Sequence, residues 1–268
     1  MTAATPLVAD LTDRAVIEVA GPDWRAFLQG LLTQDVDTLT PGEIRFGALL
    51  TPQGRLLFDL FVIGRDDGCL IDCEASRRDA LVQRLTIYRL RAKVEIKPGD
   101  QAAQALWRGE AQAPWLADPR LAGLGYRGYG VAASANADLA AWHAHRLAQG
   151  VPGPADWGDD KTYPIEANFD LLNGIDFKKG CFVGQETTSR MKRRGVIKTR
   201  MAPVSFEGPA PEPGSELLAA DLRAGEALSG GDGVVMAALR LDRANGEPRL
   251  LPDGRAWEAR WPAWMGVG

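Results

Sequence analysis

The sequence predicts an α+β fold ending in a small antiparallel barrel or sandwich, and three observations predict it. The stretch from Leu56 to Lys97 reads strand, strand, helix, strand, an order that suits an α+β layer rather than a doubly wound sheet. After Gly208–Gly214, which holds three prolines and two glycines, short strands follow at turn-punctuated intervals to Trp264. At 268 residues the chain is too long for one small core and is expected to form two or three compact domains.

The elements follow in order. Ala15–Val19 alternates as a short strand, broken by Gly21-Pro22-Asp23. Trp24, Phe27, Leu28, Leu31 and Leu32 then recur at helical spacing, with Asp23 as the expected N-cap. Arg45–Leu50 reads as strand, Thr51-Pro52-Gln53-Gly54 as a hairpin turn, and Leu56–Ile63 as the returning strand. Asp66-Asp67-Gly68 turns the chain into strand Cys69–Cys73. A helix over about 77–88 places Leu81, Leu85 and Tyr88 on one face, and Ala92–Lys97 is again extended. Residues 100–135 give no clear pattern. A helix is expected over 137–149, ended by Gly150 and followed by a Pro152-Gly153-Pro154 loop. His143 and His145 lie two apart on it, so they cannot share a face, and a solvated helix surface is expected there. Val196–Phe206 looks extended, and Trp257, Trp261 and Trp264 read as core packing.

Composition bounds the function. With 46% hydrophobic and 25% charged residues the chain has the make-up of a soluble globular protein. No run approaches the roughly 18 apolar residues of a membrane helix. Met1–Arg14 lacks the features of a secretory or organellar leader, so a cytoplasmic protein with no membrane partner is expected. The net charge of −4 argues against a nucleic-acid partner. Cys69 and Cys73 read as small core residues, because the chain has no second half for a zinc motif.

The third cysteine sits in the most informative segment, Lys179-Gly180-Cys181-Phe182-Val183-Gly184-Gln185-Glu186. Two glycines flank the thiol, and glycine permits tight turns or close backbone approach. Lys179 places a cation two residues before it, which favours the thiolate, the nucleophilic and metal-binding form. Local chemistry alone leaves a buried packing cysteine as the alternative.

Taken with Pro164-Ile165-Glu166-Ala167-Asn168-Phe169-Asp170 and Arg190-x-x-x-Arg194-Gly195, this segment resembles the signature of the YgfZ-type folate-binding family. That family is related to the glycine-cleavage T-protein, an aminomethyltransferase. Phe27-Leu28-Gln29-Gly30, Thr33-Gln34-Asp35-Val36, Thr51-Pro52-Gln53-Gly54-Arg55 and Tyr88-Arg89-Leu90-Arg91 agree with it. The K-G-C-x-x-G-Q-E block is specific and the others are individually weak.

The resemblance implies three lobes around a central cavity that binds tetrahydrofolate or a derivative. Residues 1–50 with 151–200 would form a discontinuous folate-binding lobe, 51–150 an α+β lobe and 201–268 a small β-barrel. It also implies support for the assembly or repair of iron–sulfur, chiefly [4Fe-4S], proteins. Mitochondrial counterparts act with A-type cluster carriers, and the motif cysteine is central to activity.

Glu166 corresponds to the glutamate that holds the pterin, where a carboxylate can accept two parallel N–H bonds. Asp59 falls near the T-protein's paired acids, but Phe58 breaks the pair. A contact to folate and an outward strand position both stay open for it. The six basic residues Arg190, Lys192, Arg193, Arg194, Lys198 and Arg200 read either as a solvated face or as a cradle for anions. Arg190 is the leading folate-tail candidate among them. Gln185 and Glu186 are expected to orient the loop by hydrogen bonding.

Cys181 has three open roles: ligand to a shared cluster, redox thiol, or acceptor in a transfer. Clusters normally take four ligands, so iron at Cys181 would draw the rest largely from a partner. The expected site joins Glu166 and Asp59 to Cys181 at the cavity rim. The expected function is a folate-binding accessory factor, and the competing reading is a folate-dependent aminomethyl or methyl transferase.

Overall fold

The computed structural model describes residues 5–158, 160–195 and 197–266. The chain divides into two compact units, Met1–Trp142 with Leu172–Gln185, and His143–Leu171 with Glu186–Gly268.

The first unit holds β1 (Leu7–Asp10), β2 (Arg14–Ala20), α1 (Trp24–Gln29), β3 (Ile44–Leu50), β4 (Leu56–Arg65), β5 (Gly68–Glu74), α2 (Arg78–Arg89), β6 (Glu95–Pro98), β7 (Ala103–Trp107), β8 (Leu116–Ala117) and β9 (Tyr126–Tyr129). Five strands form one sheet in the order β3-β4-β5-β2-β6, antiparallel throughout. Its core gathers Ile17, Val19, Leu60 and Ile71 with Trp24 and Leu28 of α1 and Leu81 and Leu85 of α2. Cys69 and Cys73 lie in that core as expected, 2% and 0% exposed. The expected lobe boundary at residue 50 falls at the turn between β3 and β4, which pair from Ile44↔Ile63 to Leu50↔Leu56.

Asp23 precedes α1, but its side chain does not cap the helix. Its carboxylate accepts instead from the Lys93 amide at 2.7 Å, tying the helix start to the approach to β6.

A four-stranded sheet, β1-β7-β9-β8, occupies much of the stretch without a clear sequence pattern. All five residues of β7, Ala-Gln-Ala-Leu-Trp, are buried. A strand buried on both faces shows no period-two alternation, so the usual signal is missing.

The second unit is built on β10 (Thr199–Phe206), β11 (Glu216–Ala219), β12 (Leu222–Gly231), β13 (Val234–Arg240), β14 (Arg249–Leu250) and β15 (Trp257–Ala259). They run β14-β11-β12-β13-β10-β15. A bridge between Leu250 and Ala256 draws the two edges together, so the sheet nearly closes into a barrel. Register shifts at Leu217/Leu218 and Ala227/Gly230 supply the added bend that closure needs. Trp257 fills the interior and donates its indole N–H to Leu218 O at 3.0 Å, and Trp261 and Trp264 pack beside that core.

The remaining α-helices among the described residues are α3 (Leu139–Ala148), α4 (Pro154–Trp157) and α5 (Gln185–Arg194). His143 and His145 on α3 are half-buried, not the solvated pair expected. The expected loop at Pro152-Gly153-Pro154 is shortened because Pro154 opens α4, where a fixed φ suits the first helical turn. Asp156 accepts from the Gly153 amide at 2.7 Å and anchors α4 to Ser229 of β12.

The sequence gives no sign of α5. Its run Gln-Glu-Thr-Thr-Ser-Arg-Met-Lys-Arg-Arg has no apolar stripe, and Thr188 is its one buried residue. The expected extended segment begins at Thr199, and Val196 lies outside the described residues. Among the described residues no helix is long and apolar enough to cross a membrane.

Candidate functional site

The Cys181 segment belongs to the first unit and rests on a seat built by three of the individually weak motifs. Lys179 reaches back across the chain, and its ammonium donates to Gln29 O at 2.8 Å, Leu32 O at 2.6 Å and Gln34 O at 3.0 Å. Thr33 donates its hydroxyl to Gly174 O at 2.6 Å, and Gln34 its amide to Asn173 O at 2.6 Å. Asp176 accepts from the amides of Lys178 and Lys179 at 2.7 and 3.2 Å, turning the chain toward the thiol. The stretch from Phe27 to Val36 is thus the floor under residues 173–179.

Gly184 meets the third motif. Its φ is +80°, and a Cβ there would lie 2.7 Å from Thr51 O and 2.8 Å from Gly54 Cα. The hairpin turn Thr51-Pro52-Gln53-Gly54 therefore packs directly against the glycine, and no larger residue fits. Gly180 differs, because a Cβ there would meet nothing within 4 Å. Its lack of a side chain answers no need of the fold.

Lys179 does not act as sequence spacing suggests. Its ammonium is spent on three backbone carbonyls and lies 5.4 Å from the centre of the Phe182 ring. Burial pulls its pKa down to about 8, against the opposing attraction of Asp35, Asp176 and Asp37. Lys179 is a clamp on the loop.

Cys181 is exposed, so the packing reading falls. Cys69 and Cys73 are buried, and burial pushes both thiols up to about 12, which makes them inert. Gln185 orients the loop as expected, donating to Gly180 O at 3.4 Å. Glu186 does not, since its side chain is 91% exposed and faces Arg190 at 3.8 Å.

Asp59 is also in the first unit, and it is not the outward strand residue that one reading made it. It is 5% exposed and pairs with Arg14 at 2.8 Å. Arg14 also binds Asp72 at 2.6 Å, Arg127 bridges Asp72 at 2.9 Å to Asp118 at 3.0 Å, and Arg120 closes on Asp118 at 2.8 Å. Tyr129 donates its hydroxyl to Asp72 at 2.7 Å. Three guanidiniums and three carboxylates thus balance inside the unit around Phe61, whose ring centre lies 3.6 Å from the Arg127 guanidinium. Linear reading misses the network because its partners are as far apart as Arg14 and Asp72.

Glu166 lies in the second unit. Its neighbours in the motif serve the fold. Asp170 pairs with Arg200 of β10 at 2.5 and 2.9 Å, and Asn168, at φ +63° and fully buried, donates to Met201 O at 2.7 Å. Arg200 also donates to Ile165 O at 2.6 Å. Glu166 itself is half-buried and accepts from the Tyr163 amide at 3.1 Å.

The basic tract divides. Arg200 is buried against Asp170, and Lys192 stands 3.5 Å from the same carboxylate, so Arg200 cannot join an anion cradle. A fully buried carboxylate requires such partners. Arg190, with its side chain 48% exposed, keeps its charge at the surface. Among the described residues no group of three or more His, Cys, Asp or Glu side chains could hold a metal ion.

Residues 198–267 match the family described as "CAF17, C-terminal beta-barrel domain". The glycine cleavage system aminomethyltransferase T of Bartonella henselae superposes with a TM-score of 0.77 over 99% of this chain and 88% of that one, at 17% identity. That identity carries the fold alone: the α+β, T-protein-like architecture expected from the sequence, with its near-closed C-terminal barrel.

In sequence, the chain is similar to the human mitochondrial iron–sulfur cluster assembly factor IBA57, 33% identical over 269 residues. The match covers 85% of this chain and 76% of the human protein. The mouse protein is 30% identical, with 88% and 78% covered. The homolog of Mycosarcoma maydis is 33% identical over 76% of this chain, which spans 58% of that longer relative.

These relatives correct one expectation. The cytoplasmic location read from Met1–Arg14 does not stand, because the human, mouse and fungal relatives are mitochondrial proteins. Their likeness lies in the folded body, and the composition of fourteen residues does not set an address. The kinship is with accessory factors of cluster assembly rather than with turnover enzymes. On 33% identity to a human protein of which it spans 76%, the chain belongs to the IBA57 family of iron–sulfur cluster assembly factors.

Proposed function

We propose that the chain is a YgfZ-type, tetrahydrofolate-binding accessory factor that supports assembly or repair of [4Fe-4S] proteins through Cys181. The observation that carries this reading is the exposure of Cys181 on a loop clamped by Lys179 and Gly184, while the other two thiols are buried. A thiol displayed on a rigid seat suits chemistry with a second macromolecule. One cysteine cannot supply the ligands of a cluster, so the cluster is cargo, held transiently between Cys181 and ligands from an A-type carrier.

For folate, Glu166 would take the pterin 2-amino and ring N–H groups, and Arg190 the anionic tail. Asp59 drops out of the folate set because Arg14 occupies it. That loss also weakens the transferase alternative, which needs an available acid near the transferred carbon.

The test mixes the purified chain with a cluster-loaded A-type carrier and follows the visible absorption of the cluster. A joint complex that forms with wild type and is lost in Cys181→Ala supports the reading. A stoichiometric cluster on the purified chain alone contradicts it. Glu166→Ala should weaken tetrahydrofolate binding about tenfold or more by calorimetry. Unchanged affinity removes folate from Glu166.

A further inference from the structure

The stretch from Arg77 to Lys93 carries six basic residues, Arg77, Arg78, Arg84, Arg89, Arg91 and Lys93, and one acid, Asp79, in a chain of net charge −4. Arg77 is committed to the fold, donating to Leu57 O at 2.6 Å and lying over the Phe58 ring. Arg84, Arg91 and Lys93 are exposed and form no ion pair among the described residues. Between them stand two exposed apolar side chains, Ile87 at 61% and Leu90 at 88%. Arg84 and Ile87 are three apart and share a helix face.

Leu90 is anomalous in its backbone as well. It ends α2 at φ 46°, ψ −105°, in a turn closed by the Ala92 amide on Arg89 O at 2.8 Å. These are the angles of the first central position of a type II′ turn, where glycine is the usual residue. A leucine there bears conformational strain, and its side chain gains no burial within the chain.

We propose that this tip, Ile87 and Leu90 ringed by Arg84, Arg91 and Lys93, is the docking knob for an apolar hollow rimmed by acidic residues on a partner protein. The charge at the tip is complementary to acids and opposite in sign to the chain as a whole. A protein partner fits better than a membrane, because the other apolar residues of α2, Leu81 and Leu85, are locked in the core. Two projecting side chains fill a hollow but cannot lay an apolar face on a bilayer. The inference rests on the carrier reading above in taking the A-type carrier as this partner.

The experiment titrates purified A-type carrier into wild type, Leu90→Gly, Leu90→Asp and Arg84→Glu/Arg91→Glu, each checked for an unchanged or raised melting temperature. Leu90→Gly should melt higher, since glycine relieves the turn, yet bind about tenfold more weakly. The double charge reversal should bind weakly and lose the salt dependence that wild type shows between about 50 and about 300 mM salt. Wild-type affinity in all variants overturns the knob and leaves the carrier reading intact. A wild type that ignores the carrier sinks the carrier reading instead, and the knob is then judged by cellular [4Fe-4S] enzyme activity. Full rescue by Leu90→Asp overturns it there, and lost rescue at matched soluble levels upholds it. Sedimentation with vesicles of phosphatidylcholine and about one-third phosphatidylglycerol, lost in Leu90→Asp, would make the tip a membrane contact and overturn the proposal.

Discussion

The ammonium of Lys179 donates to the carbonyl oxygen of Leu32 at 2.6 Å, across 147 residues of chain. With Gln29 and Gln34 it makes three such bonds, so one side chain fastens the cysteine loop to the end of α1 and the residues after it. Lys179→Met should leave three carbonyls without their donor and destabilise the fold by about 3 kcal/mol. Urea unfolding checks this, and a change within about 0.5 kcal/mol would remove the clamp.

The two glycines around the thiol should behave differently. Gly184→Ala places a Cβ 2.7 Å from Thr51 O at φ +80° and should lose about 2 kcal/mol of stability. Gly180→Ala meets nothing within 4 Å and should stay within about 0.5 kcal/mol of wild type. If Gly180→Ala folds normally yet fails in cells, the small residue serves close approach by another molecule.

Thiol labelling distinguishes the cysteines. Of the three, Cys181 alone should react quickly with a disulfide reagent in the folded protein, because Cys69 and Cys73 are buried. Folded Cys181→Ala should show no fast phase, and denatured wild type should show all three thiols. A fast phase that survives Cys181→Ala would contradict the burial of the other two.

Much of the architecture is legible in the sequence because local rules govern it. The β3–β4 hairpin follows from its turn chemistry, α2 from Leu81 and Leu85, and the core places of Cys69 and Cys73 from the lack of a ligand set. The sheet over 100–135 stays hidden because β7 is buried on both faces and does not alternate. Helix α5 stays hidden because it has no apolar stripe. Around the candidate site, several residues that the motifs single out have tasks in the fold that the sequence does not show. Lys179 reads as an activator and is a clamp, and Arg200 reads as part of a solvated face or of a cradle and is the partner of buried Asp170. Asp59 reads as either a folate contact or an outward strand residue, and it is buried in a network whose other members lie far away in sequence. Pairings of that range leave no periodic trace.

Within that network, Asp118 ties the stability of the fold to pH. Burial alone would raise the Asp118 carboxyl, but Arg120 and Arg127 outweigh it and bring it down to about 2 from 3.8. A lowered folded-state pKa contributes stability that is present above about 4 and lost as pH falls toward 2, on the order of 2 kcal/mol for this group. Urea unfolding between about pH 5 and pH 2 should therefore show a steeper loss for wild type than for Asp118→Asn. Equal slopes would show that Asp118 does not titrate there.

The exposed thiol is the centre of the account, and one measurement tests it most directly. [4Fe-4S] enzyme activity is assayed in cells lacking this protein, resupplied with wild type or Cys181→Ala at matched soluble levels. Wild type should restore activity and Cys181→Ala should not, whereas equal rescue by both would contradict any role for the thiol.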